Sequence, residues 1–203
     1  KEVKIKIPDN SMLKPKSPAP VVAGNVETSQ SIIDLLNGSI KVQAACYGTM
    51  SNLTFGDGKF GYYETICGGE GASQNQGGND AVHCHMTNTS ITDPEILEWN
   101  YPVRLISFSI RKKSGGIGKY NGGNGTIREL YFLKKLTLTL LSNRRIVEPF
   151  GLNGGKPGKV GKNFIKRRNG TIKKLDHACS LNVYDGDIIR IETPGGGGFG
   201  IAK

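Results

Sequence analysis

The sequence predicts an α+β fold that is predominantly β, with short glycine-linked strands in a sandwich- or barrel-like body and one or two helices. Segments in which apolar and polar residues alternate recur along the chain, and a period of two is typical of half-buried strands. Glycine accounts for 29 of the 203 residues, about twice its usual share of roughly 7%. These glycines lack the regular spacing of collagen, so they indicate loop-rich β structure and not a fibre.

The amino-terminal part of the chain contains the predicted helices. Alternation over residues 3–7 predicts a first strand. Apolar residues within 32–36 predict a helix that ends at Gly38, where a glycine C-cap belongs. A second, shorter helix is expected to begin at Asp93, because a proline follows at the first helical position. It should end before Pro102.

The remainder of the chain predicts strands that are joined by glycine turns. Strands are expected at residues 103–111, 125–133, 136–141 and 187–193. A tight turn at Asp185-Gly186 should lead into the last of them.

Charge divides the chain near residue 100. The net charge is +10, with −4 over residues 1–100 and +14 over residues 101–203. We therefore expect an α+β segment at 1–100, which carries a polar His/Thr/Asn motif, and a basic, glycine-rich β segment at 101–203. The densest basic run, residues 156–174, holds eight Lys or Arg residues. It is either a nucleic-acid-binding surface or a solvated face, and its single aromatic residue makes a nucleic-acid partner the weaker interpretation.

Four widely spaced cysteines complete the composition: Cys46, Cys67, Cys84 and Cys179. They form no CxxC pair, so a structural zinc site is not expected. Reduced thiols in a cytoplasmic protein are the default for this pattern, and the short apolar stretches predict no membrane partner. Cys67 precedes two glycines and is either a reactive thiol or a buried structural cysteine.

Residues 83–98 hold the densest group of reactive side chains. If residues 81–86 form a strand, His83 and His85 lie on one face with Cys84 opposite. This histidine pair is half of a metal site, an acid–base or substrate-positioning group, or a buried histidine beside an exposed one. The carboxylates that could complete a metal site are Glu64, Asp80, Asp93 and Glu95.

Short polar side chains and glycine loops leave further alternatives open. Residues 87–89, Thr-Asn-Thr, hold a polar substrate or form turns that cap the helix at Asp93. Glycine-rich loops at 114–125 and 193–198 bind an anion or make tight turns and contacts. Neither loop ends in Gly-Lys-Ser/Thr, so the motifs that bind and split ATP are not expected in this chain.

Five blocks of sequence become informative when they are taken together. They are residues 24–30 (GNVETSQ), 48–56 (GTMSNLTFG), 62–69 (YYETICGG), 85–95 (HMTNTSITDPE) and 192–200 (ETPGGGGFG). In this order they resemble the carboxyl-terminal part of the hydantoinase B/oxoprolinase family, over essentially the whole chain. One departure is the loop Asn-Gly-Gly-Asn-Gly at 121–125, where the family tends to have Arg-Gly-Gly-Asp-Gly. The loss of both charges argues against an ionic role for that loop.

The resemblance implies a fragment of an ATP-dependent cyclic amidohydrolase that converts 5-oxo-L-proline to L-glutamate, in glutathione metabolism. The fragment would contribute part of the hydrolytic half and would be inactive alone. ATP and Mg²⁺ would bind largely outside it, on a remaining hydantoinase A/B-type portion. Any divalent metal would also lie in that portion, so no metal ligand is assigned here. A homo-oligomer that acts on a small cyclic amide is expected.

Two alternatives remain beside that interpretation. The chain could be a non-catalytic β module for subunit assembly, or a nucleic-acid-binding domain that uses residues 156–174. For the enzyme, attack of water on a phosphorylated amide needs a base and groups that hold the oxyanion. The candidate catalytic residues are His83, His85 and Glu64. The candidate substrate-binding residues are Thr87, Asn88, Gly68 and Gly69, the two glycines through their backbone.

Overall fold

A computed structural model describes residues 4–9, 11–21 and 24–202. These residues contain helices α1 (Gly24–Ser39) and α2 (Pro94–Asn100), with a short 3₁₀ helix at His85–Thr87 between them. The strands are β1 (Ser51–Gly56), β2 (Gly61–Ile66), β3 (Val103–Arg111), β4 (Gly125–Phe132), β5 (Leu136–Ser142), β6 (Lys162–Lys166), β7 (Ile172–Leu175), β8 (Ala178–Val183) and β9 (Ile188–Glu192). In the part of the chain that is described, neither helix is long and apolar enough to cross a membrane.

The strands form two antiparallel sheets. One sheet has the order β2-β1-β5-β8 and the other β3-β4-β9-β6-β7. Both contribute to one hydrophobic core, which contains Leu53 and Leu138 from the first sheet, Leu130 and Ile189 from the second, and Leu97 from α2. Burial of one face of each sheet against the other is the arrangement of a β-sandwich. The predicted fold class, α+β and predominantly β with two helices, is confirmed.

The elements with the clearest sequence signals are found where they were predicted. β5 alternates strictly, with Leu136, Leu138 and Leu140 buried and the residues between them exposed. β3, β4 and β9 lie within a residue of their predicted bounds. Helix α2 begins after Asp93, whose carboxylate accepts hydrogen bonds from the N–H groups of the next turn. The alternation of apolar and polar residues and the helix cap at Asp93 therefore sufficed to predict these elements.

Two local predictions are wrong. Residues 4–7 form no strand, and Ile5 is 78% exposed, because no other strand in the described residues pairs with them; residue 3 lies outside the described residues. Gly38 does not end α1, which continues to Ser39. Its role is steric, since a Cβ atom there would lie 2.9 Å from Cζ of Phe150.

The border near residue 100 lies within a shared core. β1 pairs along its whole length with β5, so strands from both predicted segments belong to one sheet. Residue 100 thus marks a change of charge within a continuous core. The division of the chain into two segments stays a prediction.

The glycine-rich loops pack backbone against backbone. Gly196 donates its N–H to the carbonyl of Gly123, and Gly116 donates to the carbonyl of Gly196. A Cβ atom on Gly196 would overlap the carbonyl of Glu70, and one on Gly122 would overlap the carbonyl of Gly196. Close approach of main chains, and not positive φ, explains why these positions are glycine. Their N–H groups donate to carbonyl groups in other segments of the chain. Few of these N–H groups are therefore available to bind an anion, which favours the alternative of tight turns and contacts.

The basic run at 156–174 includes the β6–β7 hairpin. β6 alternates, so that Ile165 enters the core while Lys162 and Lys166 are exposed. Arg167 binds Asp187 at 2.7 Å. The hairpin therefore presents most of its lysines to solvent, as expected if this run is a solvated face.

Candidate active site

The His83–His85 segment is a turn and not a strand. Val82 forms a two-hydrogen-bond bridge with Gly68, after which the chain turns into the 3₁₀ helix. Thr87 closes the turn, because its hydroxyl accepts the N–H of Cys84 at 3.0 Å and donates to the Cys84 carbonyl at 2.9 Å. The predicted strand over 81–86 is wrong, and His85 has a φ of 45°. The two histidines consequently meet different neighbours.

His83 contacts a buried tyrosine. Its Nδ1 atom lies 3.3 Å from the hydroxyl of Tyr47, which donates a hydrogen bond to Thr87 at 2.7 Å. Partial burial lowers the pKa of His83, and burial raises the pKa of Tyr47. Both shifts favour the neutral forms, so His83 is a neutral imidazole at neutral pH.

His85 contacts helix α1 and a cysteine. Its Nδ1 atom lies 3.2 Å from Nε2 of Gln30 and 4.0 Å from Sγ of Cys46. The interaction with Cys46 raises the pKa of His85. The side chain is exposed, and its Nε2 atom has no hydrogen-bond partner among the described residues. Neighbouring groups thus shift the pKa values of His83 and His85 in opposite directions.

A buried polar group on α1 supports His85. Gln30 is 0% exposed and donates to Oδ1 of Asp34 at 3.2 Å. Asp34 also accepts the N–H of Cys46 at 3.3 Å and a hydrogen bond from Arg144 at 3.4 Å. Burial raises the pKa of the Asp34 carboxyl. Helix α1 therefore turns its polar side inward toward the site.

Gln30, Asp34 and Cys46 also belong to this site, although none of them was predicted from the sequence. A signal existed, because Asp34 interrupts the apolar run 32–36. That run predicted an apolar buried face, yet Leu35 is 65% exposed. A charged residue inside an apolar helical run is a reason to expect a buried polar contact.

Three potential metal-ligand atoms, from Asp34, Cys46 and His85, lie within 4.8 Å of one another. The Cys84 thiol, the neighbouring His85 ring and the N–H of Gly71 lower the pKa of Cys46 to about 6. Nε2 of Gln30, however, lies 3.2 Å from both Asp34 Oδ1 and His85 Nδ1. The Gln30 amide can donate a hydrogen bond to each of these two atoms, so a bound cation would have to displace both hydrogen bonds. The cluster is satisfied by protein donors alone.

Glu64 lies in a buried ion pair. Its carboxylate accepts hydrogen bonds from Arg128 at 2.6 and 2.9 Å and from Tyr62 at 2.7 Å. Among the described residues, neither histidine is a hydrogen-bond partner of Glu64. Three donors therefore already occupy this carboxylate.

The four predicted substrate-binding residues differ in whether their polar groups already form hydrogen bonds within the chain. Asn88 is exposed. Thr87 is buried, and its hydroxyl is used within the turn. The N–H of Gly68 donates to Val82 at 3.3 Å, and that of Gly69 donates to Pro194 at 3.1 Å. Oxyanion binding by either glycine would require these bonds to open. The roles of all four residues stay predictions.

Cys67 forms no hydrogen bond with either histidine in the part of the chain that is described. It is buried, and desolvation raises the pKa of its thiol. A raised pKa reduces the thiolate fraction, which favours the structural interpretation of this residue.

An open groove of about 560 Å³ on the outer face of the five-stranded sheet does not include the histidines; residues such as Ile106, Phe164 and Arg190 line it.

Comparison with known proteins gives a consistent result. The hydantoinase B/oxoprolinase family model matches residues 1–202. The chain is 48% identical to 5-oxoprolinase 1 of Arabidopsis thaliana over 198 residues, which are 98% of this chain and 16% of that protein. It is also 48% identical to the 5-oxoprolinase of Dictyostelium discoideum over 194 residues, or 96% of this chain and 15% of that protein.

The fold has a counterpart among solved structures. The ATP-dependent caprolactamase from Pseudomonas jessenii matches with a TM-score of 0.78 and 25% identity, over 92% of this chain and 36% of that chain. This chain therefore spans only a small part of each of these proteins.

Proposed function

Because this chain belongs to the hydantoinase B/oxoprolinase family, we propose that it is one part of an ATP-dependent hydrolase that opens 5-oxo-L-proline to L-glutamate. The observation that carries this proposal is its 48% identity, over almost its whole length, to proteins named 5-oxoprolinase. Since it spans 15–16% of those proteins, the complete activity requires further polypeptide.

Cofactors and partners follow from the reaction. ATP and Mg²⁺ are assigned to the hydantoinase A/B-type remainder, and so is any divalent metal. The enzyme is a cytoplasmic homo-oligomer in this proposal, and its substrate is a small cyclic amide. This chain supplies one wall of the hydrolytic site and is inactive alone.

The chemistry needs proton transfer in two directions. Transfer of phosphoryl from ATP to the amide oxygen activates the ring carbon. Water adds to that carbon and loses a proton, the C–N bond breaks, and the nitrogen gains a proton. A second water then releases phosphate from the acyl phosphate. One general base and one donor are therefore required.

His83 and His85 suit these two roles. Burial lowers the pKa of His83 and keeps it neutral, so it can accept a proton from water. The Cys46 interaction raises the pKa of His85, so it can donate to the oxyanion or the departing nitrogen. Opposite pKa shifts in neighbouring groups are how acid and base roles are divided in active sites. Glu64, with three donors on its carboxylate, is the weakest candidate base.

The remaining candidates form the substrate-facing surface. Asn88 is exposed, and its amide, which has no hydrogen-bond partner among the described residues, can bind a substrate carboxylate or carbonyl. Thr87 acts through the turn that orients both histidines. Gly68 and Gly69 bring the backbone close to the adjacent glycine-rich segments, and their contribution to oxyanion binding depends on rearrangement.

Substitution of His85 by alanine in the full-length enzyme tests this function. Loss of a positioned acid or base costs about 10²–10⁴-fold in rate, so ATP-coupled glutamate formation should fall by that amount. His177, an exposed histidine, supplies the matched control His177→Ala, which should retain activity. Unchanged glutamate formation in His85→Ala would discard the assignment.

One observation favours assembly as a second function. β3 exposes Ile106, Phe108 and Ile110 by 40–49%, and Trp99 is 89% exposed. A surface with this many large apolar side chains is typical of an interface. If the chain is a non-catalytic module, His85→Ala and His83→Ala in the full-length enzyme will both retain activity, and Trp99→Ser will disrupt assembly. The basic run has no comparable support, because Arg167 and Arg168 bind Asp187 and Asp185.

A further inference from the structure

We propose that Gln30 and Tyr47 are positioning residues that hold His85 and His83 in opposite tautomers. Both imidazoles are contacted at the same ring atom, Nδ1, but by partners of different hydrogen-bonding character. In this assignment neutral His85 carries its proton on Nε2 and His83 carries its proton on Nδ1. The catalytic consequence rests on the proposed function, whereas the tautomers themselves do not.

The orientation of the Gln30 amide follows from its backbone partner. The N–H of Met86 can only donate, and it lies 3.2 Å from Oε1 of Gln30. Nε2 of Gln30 therefore faces the other way, toward Asp34 Oδ1 and His85 Nδ1, each at 3.2 Å. An amide nitrogen only donates. Nδ1 of His85 must accept, which leaves the proton of the neutral ring on Nε2.

Helix α1 keeps this amide in place. Gln30 is fully buried and Asp34 is 4% exposed. Asp34, which receives the second N–H of Gln30, is itself held by the backbone of Cys46 and by Arg144. Rotation of the Gln30 amide would place its oxygen against the Asp34 carboxylate and its nitrogen against a backbone N–H. Two unfavourable contacts in a buried site exclude that orientation.

The opposite assignment applies to His83. The Thr87 hydroxyl gives its proton to the Cys84 carbonyl at 2.9 Å. Tyr47 gives its single hydroxyl proton to Thr87 at 2.7 Å. The Tyr47 oxygen is then an acceptor for His83, whose Nδ1 atom lies 3.3 Å away. His83 must donate from Nδ1, so its Nε2 atom carries a lone pair.

The two tautomers give the histidines complementary chemistry. Nε2 of His83 can accept a proton from water. Nε2 of His85 can donate a hydrogen bond to an oxyanion. A tautomer set by a neighbouring residue is known to control catalytic histidines.

Long-range ¹H–¹⁵N NMR spectra of the chain with ¹⁵N-labelled histidine test the proposal, at a pH where the rings are neutral. The chain has three histidines, and exposed His177 supplies the reference for an unbiased mixture. We expect His85 as the Nε2–H form and His83 as the Nδ1–H form. Gln30→Met keeps the shape but removes the amide, so His85 should gain Nδ1–H while His83 is unchanged. Tyr47→Phe should shift His83 alone, and each variant is therefore the control for the other.

Several outcomes would overturn the proposal. They are an Nδ1–H form of His85 in the unmodified chain, mixtures at both rings like that of His177, or equal changes at both histidines in either variant. In the full-length enzyme, Gln30→Met should lower kcat by about 10²–10⁴-fold, as expected for a wrong tautomer, with little change in KM. If the tautomers are as expected but His85→Ala remains active, only the proposed function fails.

Discussion

Arg128 donates two hydrogen bonds to Glu64, from Nε to Oε1 at 2.6 Å and from Nη2 to Oε2 at 2.9 Å. The two side chains are 1% and 2% exposed. The ring of Phe108 also lies 5.2 Å from the guanidinium carbon. Such a pair joins β2 to β4, and hence one sheet to the other, through charges that water does not reach. Glu64 therefore contributes to the contact between the sheets through this pair, and its role as a catalytic base stays a prediction.

Removal of Arg128 should strongly destabilise the fold. Arg128→Met leaves Glu64 buried and unpaired, and breaking a buried pair in this way costs about 3–5 kcal/mol. Arg190 pairs with Glu129 but is 36% exposed. Arg190→Met is the matched control, and its expected cost is about 0–1 kcal/mol. Urea unfolding measures both, and equal losses would contradict this account.

The close backbone packing of the glycine-rich loops leads to a second prediction about stability. A Cβ atom on Gly196 would overlap the Glu70 carbonyl, whereas one on Gly58 would meet no atom within 4 Å. Gly196→Ala should therefore cost about 1–3 kcal/mol or more, because the surrounding backbone has to move. Gly58→Ala should be neutral or stabilising by about 0.4–1 kcal/mol. Thermal unfolding of the two variants measures these changes in stability. If Gly196→Ala is tolerated, the glycine-rich loops around Gly196 are loosely packed.

Sequence alone predicted four of the nine strands in the described residues. β3, β4, β5 and β9 show alternation or lie beside a clear turn. β1 is buried on both faces over most of its length, so it has no period of two. β7 is largely exposed and was hidden within the basic run. Its place is fixed by pairing with β6, which a local pattern does not report.

The site was predictable only in part for a related reason. The density of polar residues identified His83 and His85, but their partners are remote in sequence. Gln30 is 55 residues from His85, and Cys46 is 39 residues from it. Thr87 turned the chain where a strand was expected. Contacts of this kind depend on how α1 packs, and no spacing rule along the chain contains them.

Asn124 is required as an amide and not as a carboxylate. Its Oδ1 accepts the N–H groups of Ser114 and Gly115 at 2.9 and 3.1 Å, and its Nδ2 donates to Asp80 at 3.2 Å. Asn124→Asp would keep the acceptor but would place a second carboxylate against Asp80. We expect a loss of about 0.5–1 kcal/mol at neutral pH, because the two like charges meet at an exposed contact where water screens them.

A compensating variant makes this test specific. The exchange Asp80→Asn together with Asn124→Asp restores one amide and one carboxylate, so it should recover most of the lost stability. Asn169→Asp is the control, because exposed Asn169 uses only its oxygen, toward the N–H of Thr171. Its effect should stay within about 0.5 kcal/mol. Additive losses in the double variant would show that the Asp80–Asn124 contact is not the cause.

The pH dependence of stability should report the state of Cys46. The Cys84 thiol, the His85 ring and the N–H of Gly71 lower its pKa to about 6 in the folded chain, against about 8.5 for an unfolded thiol. A depressed folded pKa contributes stability that is fully present above the unfolded value and is lost as the pH falls through the folded one. The free energy of unfolding should therefore decrease from pH 8.5 to 6.

The raised pKa of His85 acts in the opposite direction. Its contribution is fully present below the unfolded value near 6.5 and is lost as the pH rises through the folded one. Cys46→Ser removes both effects, so its stability should vary less over this window, whereas Cys179→Ser should follow the unmodified chain. Urea unfolding at several pH values and thiolate absorbance provide the measurements. His85→Gln should move the thiolate midpoint upward, because it removes one of the groups that stabilise the anion. Parallel stability curves for Cys46→Ser and the unmodified chain would mean that the buried sulfur stays protonated, and that the raised pKa of His85 comes from Asp34 instead.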